Sequence, residues 1–299
     1  MSTTTSDRTA APAPAPVPSG AGAGAGPARR RRRRPSRWHL VLLPLAVVMA
    51  LPLVWMVVTS LSTLADTRTF PPRLPSSLQW HNYVDAWTGS PFARWLLNSA
   101  IVSVSCVVSN LVLCTLAGYA FARLAFPFKR AVFLVLLATL AVPFQVTMIP
   151  TLLIVRSLHL IDSLPALIVP NLVTVFGVFL LRQFFVAVPV ELEEAAVLDG
   201  AGRLAVLRHV LLPLMTAPLS TLTVLTFLST WNDFLWPLLV NSSPDVMTVQ
   251  LGLSSFQGAH FTNWPQLMAG TVISQLPVLV LFVVGQRFFV RSLATSGIK

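Results

Sequence analysis

Six stretches of this 299-residue chain are long and apolar enough to cross a bilayer, and they limit its fold more than any motif does. A helix of about 20 apolar residues spans the roughly 30 Å hydrocarbon layer. The runs reach approximately from His39 to Ser60, Trp95 to Ala120, Ala131 to Ile149, Pro165 to Phe185, Val210 to Trp236 and Leu267 to Val290. Internal Pro, Gly, Ser, Thr and Asn in these runs are tolerated where neighbouring helices satisfy the backbone. Only 10% of residues are charged, against about 25% for an ordinary soluble domain. The expectation is an all-α polytopic membrane protein with six transmembrane helices over 38–299.

Residues 1–37 differ in kind. Ala-Pro repeats, Gly-Ala repeats and the arginines Arg29 to Arg34 follow one another. Such composition buries too little apolar surface to offset ordering entropy, which predicts a disordered basic tail. The run Leu40 to Val58 is too long for a signal peptide and is followed by no A-x-A site. The net charge of +11 does not point to nucleic acid, because a basic cluster before an apolar run sets membrane orientation and no recognition fold follows it. Six spans put both termini on one side. With the N-terminus inside, only Arg68, Arg73, Arg94 and Arg156 of the 21 Lys and Arg fall outside. The positive-inside rule therefore predicts both termini in the cytoplasm.

That orientation places an acidic segment, Pro189-Val-Glu-Leu-Glu-Glu-Ala-Ala-Val-Leu-Asp-Gly-Ala-Gly202, in the cytoplasm. Pro189 is suited to start a helix, and the early carboxylates favour its positive end. Glu194 and Leu198 share one face, Asp199 is one turn from Arg203, and Ala195 with Ala196 allow close approach by another backbone. Gly200 tolerates positive φ and can end the helix. A second short helix is expected from Arg203 towards Pro213. Taken alone, the segment fits either a docking surface for another protein or a solvated interfacial helix.

Glu194-Ala195-Ala196, Gly200 and the closing Leu212-Pro213 resemble the EAA loop of inner-membrane permease subunits of bacterial ABC importers. The longer Glu-Leu-Glu-Glu-Ala-Ala-Val-Leu-Asp-Gly-Ala is similar to the carbohydrate-uptake branch, and within it to maltose-type second permeases. Asn98-Ser99, Gly118-Tyr119-Ala120-Phe121-Ala122-Arg123, Met148-Ile149-Pro150, Thr230-Trp231-Asn232-Asp233-Phe234, Gln286-Arg287-Phe288-Phe289 and Gly297-Ile298-Lys299 also carry the resemblance. Many relatives have one further Gly at the end. The resemblance implies an ABC type I importer permease fold in a bacterial plasma membrane. The loop at about 189–213 would couple to a separate ATPase through Glu193, Glu194, Ala195, Ala196, Asp199 and Gly200. It further implies a second homologous permease, a cytoplasmic ATP-binding subunit dimer, an extracellular solute-binding protein and a sugar or oligosaccharide substrate.

Other chemistries lack their residues. Neither lysine, Lys129 or Lys299, follows a Gly, so a Walker A phosphate loop is absent and the expectation is a transport subunit that is not itself an enzyme. The five histidines have no metal-ligand spacing, and no metal or cofactor is expected. Cys106 and Cys114 sit about 12 Å apart on one expected helix, beyond disulfide reach. A stand-alone secondary transporter would show internal repeats and several membrane carboxylates, whereas Asp233 is the only acid within an apolar run.

Asp233 fits a functional intramembrane acid, a residue at the outer interface, or a structural pair. Asn98, Gln145, Asn171, Asn232 and Gln275 suit sugar hydroxyls in a translocation pathway, and Trp231 or Trp236 suits stacking on a sugar ring. The same residue types also glue helices together or mark the interfacial belt.

Overall fold

In the computed structural model, residues 38–69, 71, 73–258 and 261–296 are described, with side chains through Gly285 apart from His39. The expectations for the 1–37 tail and for Gly297-Ile298-Lys299 lie outside these residues. The described residues fall into two units, divided between Met49 and Ala50. Helix α1, His39–Ser60, carries exposed Leu, Val and Met around its circumference, the pattern of a helix facing lipid or another membrane helix.

In the second unit, α2 (Leu64–Thr67) and α3 (His81–Thr88) form a short cap. Thr63 and Asp66 close α2 with a reciprocal capping box, and Ser76 donates both its N–H and its hydroxyl to Asp66. These bonds hold the Asp66 carboxyl down at about 2, with that from the Thr63 hydroxyl the largest cause. Helix α4, Phe92–Arg123, is the central element: 32 residues without a proline. It packs against α8 (Val175–Ala187) and α12 (Thr216–Trp231). The remaining helices are α5 (Lys129–Ala138), α6 (Phe144–Ser157), α7 (Leu164–Ile168), α9 (Glu191–Leu198), α10 (Arg203–Val206), α11 (Leu212–Leu214), α13 (Leu235–Val240), α14 (Val249–Ser254) and α15 (Trp264–Ser296). Among the described residues, extended pairing is limited to a single bridge, Gln257–Thr262.

Four helical segments are straight enough and apolar enough to cross a membrane singly: Leu40–Ser60, Phe92–Arg123, Leu164–Ala187 and Trp264–Gly285. The other two expected spans are not continuous rods. Lys129–Ala141 and Phe144–Ser157 meet at 105°, and Arg203–Leu214 and Thr216–Trp231 meet at 80°. The first bend has a local cause, since a residue before proline is pushed out of the α region and Val142, preceding Pro143, takes ψ 115°. At the second, Met215 leaves helical geometry at φ −95° and ψ 15°.

Three apolar clusters hold this unit together. One joins Cys114 and Tyr119 of α4 to Leu181, Phe185, Leu211 and Met215. A second joins Val102 and Cys106 to Leu167, Trp236 and Val240. The third joins Phe92 and Trp95 to Trp231, Val249 and Leu253. Cys106 and Cys114 are free and buried, as the spacing predicts. Residues 241–258, a polar stretch between two apolar runs, fold onto α4. Val249 and Gly252 are buried, and a Cβ on Gly252 would lie 2.2 Å from the Trp95 ring.

Candidate coupling and translocation sites

The acidic segment folds into the helix–bend–helix its sequence predicts. Helix α9 carries Glu191, Glu193 and Glu194 in its first turn, where carboxylates complement the helix dipole. Ala201 N–H donates to the Ala196 carbonyl and Gly200 N–H to that of Val197, each at 2.9 Å. This is a Schellman closure, which needs a left-handed residue after the cap, and Gly200 supplies it at φ +85°. No atom lies within 4 Å of a Cβ built there, so backbone conformation selects the glycine and not space. Helix α10 then runs through a π-helical turn, Leu207–Leu211, into α11 and the 80° bend.

Helix α9 has two unlike faces. Glu193 is turned inward: its carboxylate accepts Arg123 Nε–H from the end of α4, and both side chains are largely shielded from solvent. Arg123 Nη2 donates to the Val188 carbonyl at 2.6 Å. One guanidinium thus ties the entry to α9 and its first turn to the longest helix. Ala196 and Ala201 pack on the same inner cluster. Glu194, Ala195, Val197, Leu198 and Asp199 remain exposed, Leu198 to 89%. Glu193 and Ala196 therefore anchor the helix, while the outward surface belongs to their neighbours. Asp199 makes no ion pair with Arg203; among the described residues the ion pairs are His81–Asp85, Arg94–Asp245 and Arg123–Glu193.

The polar residues of the spans separate into two groups. Asn98 and Trp231 are buried and committed to internal bonds, the arrangement expected of residues that hold helices together. Asn98 Nδ2 donates to the Asp245 and Met247 carbonyls, both at 2.9 Å. Trp231 Nε1 donates to the Ser274 carbonyl at 3.1 Å and its ring stacks on Phe227. Trp236 is likewise buried, and its Nε1 donates to the Ala166 carbonyl. Asp233 and Asn171 instead face a common cavity of about 250 Å³ with Phe144, Pro170, Ser229, Thr230 and Trp236. Asp233 Oδ1 also accepts the Trp236 N–H at 3.3 Å, where the chain breaks between α12 and α13. Gln145 is exposed at the start of α6, and Gln275 is half-buried on α15. Asn232 is exposed and accepts a bond from Gln250 at 3.4 Å.

Two structural residues escaped the sequence reading. Arg123 belongs to a stretch that carries the family resemblance, but its pairing is not legible because its partner is 70 residues away. Asn110, fully buried, donates to the Asn171 carbonyl at 2.7 Å and accepts the Thr174 hydroxyl at 2.8 Å. It pins the middle of α4 to the approach to α8. Its polarity within an apolar run was the available signal.

Apolar helices with exposed flanks, two bent spans, a polar cavity at a helix break and a separately anchored acidic helix define a multi-pass membrane permease of the plasma membrane. The chain belongs to the family of binding-protein-dependent transport system inner membrane components, whose pattern matches residues 114–295, and is thus a permease subunit of an ABC importer. It is 34% identical over 226 residues to the arabinooligosaccharides transport system permease protein AraQ of Halalkalibacterium halodurans, covering 75% of this chain and 81% of the relative. To the sn-glycerol-3-phosphate transport system permease protein UgpE of Pectobacterium atrosepticum it is 35% identical over 231 residues, covering 75% and 82%. A crystal structure of a bacterial ABC transporter involved in import of the acidic polysaccharide alginate contains a similar chain. The two match with a TM-score of 0.73 at 25% identity, over 85% of this chain and 98% of the other.

Proposed function

We propose that this permease forms half of the translocation path of an ATP-driven sugar importer, and that α9 is the helix through which a separate ATPase moves it. The observation that carries this reading is the two-faced mounting of α9. A connector needs no buried ion pair, whereas a helix that transmits force must be gripped on one side and free on the other. Arg123 and Glu193 supply the grip; Glu194, Ala195, Val197 and Leu198 supply an exposed surface with apolar and acidic parts. The ATPase would present a cleft with a basic or amide group opposite Glu194. Asp199 and Gly200 set where the helix ends, so they fix the depth of docking.

The charge distribution supports an arrangement with both termini in the cytoplasm, a second homologous permease alongside, and an external solute-binding protein delivering cargo. Relatives named for arabinooligosaccharides support a sugar as cargo. The relatives named for sn-glycerol-3-phosphate favour a second reading, a polyol phosphate. Competition of labelled oligosaccharide uptake by sn-glycerol-3-phosphate separates the two.

The mechanism is tested by Glu194→Lys in the assembled transporter. Charge reversal in a docking cleft replaces attraction by repulsion, which can cost several kcal/mol. The expected outcome is a permease that reaches the membrane, no longer retains the ATPase in a pull-down, and imports nothing. Normal ATPase capture together with normal uptake would show that α9 is a solvated connector.

A further inference from the structure

The last turns of α4, the first turn of α5 and the middle of α8 enclose one small cavity ringed by three cations. Lys129, Arg130 and Arg182 line a space of about 330 Å³ walled by Phe121 and Phe133. Lys129 Nζ donates to the Leu124 carbonyl at 2.8 Å and the Ala122 carbonyl at 3.3 Å. Arg182 Nε donates to the Phe121 carbonyl at 3.3 Å, and its guanidinium lies 4.2 Å above the Phe133 ring. Those bonds fix two of the cations but neutralise neither. No acidic side chain pairs with any of the three among the described residues. Glu193, the buried acid at this end of α4, is already taken by Arg123.

Three like charges held round one cavity repel each other and call for an anion. The neighbouring surface says which kind. Helix α5 leaves its basic first turn to expose Leu134 and Val135 along an apolar flank. An occupant there must be anionic at one end and apolar along its length. We infer that Lys129, Arg130 and Arg182 form a binding site for the phosphodiester headgroup of an anionic phospholipid, with an acyl chain lying along the exposed face of α5. Basic pockets between membrane helices on the cytoplasmic side recognise such headgroups. The cavity lies at the end of α4 that carries Arg123, whose guanidinium holds Glu193 of α9. Lipid binding would therefore brace the framework on which α9 is mounted.

The test uses the complete transporter in nanodiscs containing mixed phosphatidylcholine and phosphatidylglycerol, with the annular lipid stripped by mild detergent and retained lipid identified by mass spectrometry. Wild type is expected to retain phosphatidylglycerol in preference to phosphatidylcholine. Arg130→Gln, at an exposed position with no structural bond, is expected to weaken that retention about fivefold, the contribution of one cation near an anionic headgroup. Arg130→Lys is expected to restore most of it, and Arg156→Gln, remote from the cavity, to leave it unchanged. Equal retention of both lipids by wild type, or unaltered retention by Arg130→Gln, would overturn the proposal. So would displacement of the retained lipid by soluble glycerophosphate, which would mark a site for free phosphate esters.

Discussion

Arg123 does the work of two residues. Its Nε–H and Nη2–H go to different places, one to the Glu193 side chain of α9 and one to the Val188 carbonyl before it. Lysine, a point charge without a fork, cannot hold both. Breaking a buried ion pair by removing one partner costs about 3–5 kcal/mol, much of it from the charge left behind. Arg123→Ala is therefore expected to lower both thermal stability in detergent and uptake, with Arg123→Lys intermediate. The double variant Arg123→Ala/Glu193→Ala is expected to lose less stability than the sum of the single losses, because it strands no charge. Additive losses in a thermal-shift measurement would show that the two residues act independently. The resemblance implies that Glu193 and Glu194 act together, whereas in the structure only Glu193 is buried against Arg123. Glu193 and Glu194 are adjacent and chemically alike, and only the rotation of α9 decides which meets Arg123.

At the scale of elements, the motif that closes α9 was legible because it is local. Glycine at 200 follows a helix-forming run, and its backbone adopts the positive φ that such a position calls for. The bends were less so. Pro143 does signal the 105° break, yet the apolar run continues on both sides of it, and hydropathy cannot see direction. Helix α14 was missed because it is six residues long and polar at its flanks, so nothing in its periodicity announces burial. Its seat depends on shape: Gly252 lies flat against Trp95. Gly252→Ala inserts a methyl group where the indole already stands, and overpacking of this kind costs about 1–3 kcal/mol. The expected outcome is faster proteolysis between residues 241 and 265 and reduced uptake, with the ATPase still bound. Wild-type protease resistance would mean that the Trp95 ring moves aside freely.

For the whole molecule, the six apolar runs and the charge asymmetry predict a definite topology. Ser242 is exposed between the fifth and sixth apolar runs, which a cytoplasmic N-terminus puts outside, whereas Ser36 precedes the first run. In a variant lacking Cys106 and Cys114, a membrane-impermeant thiol reagent applied to intact cells is expected to label Ser242→Cys but not Ser36→Cys. The opposite pattern would invert the orientation. The geometry of α4 then has a mechanical consequence. Its 32 residues make a rod about 48 Å long at 1.5 Å per residue. Near one tip, Trp95 and Asn98 hold the carbonyls of Pro244, Asp245 and Met247. The other tip ends in Arg123, and between them Asn110 holds the Asn171 carbonyl. One continuous rod thus joins the stretch around residue 245 to the mount of the acidic helix, so neither can shift along its axis without the other.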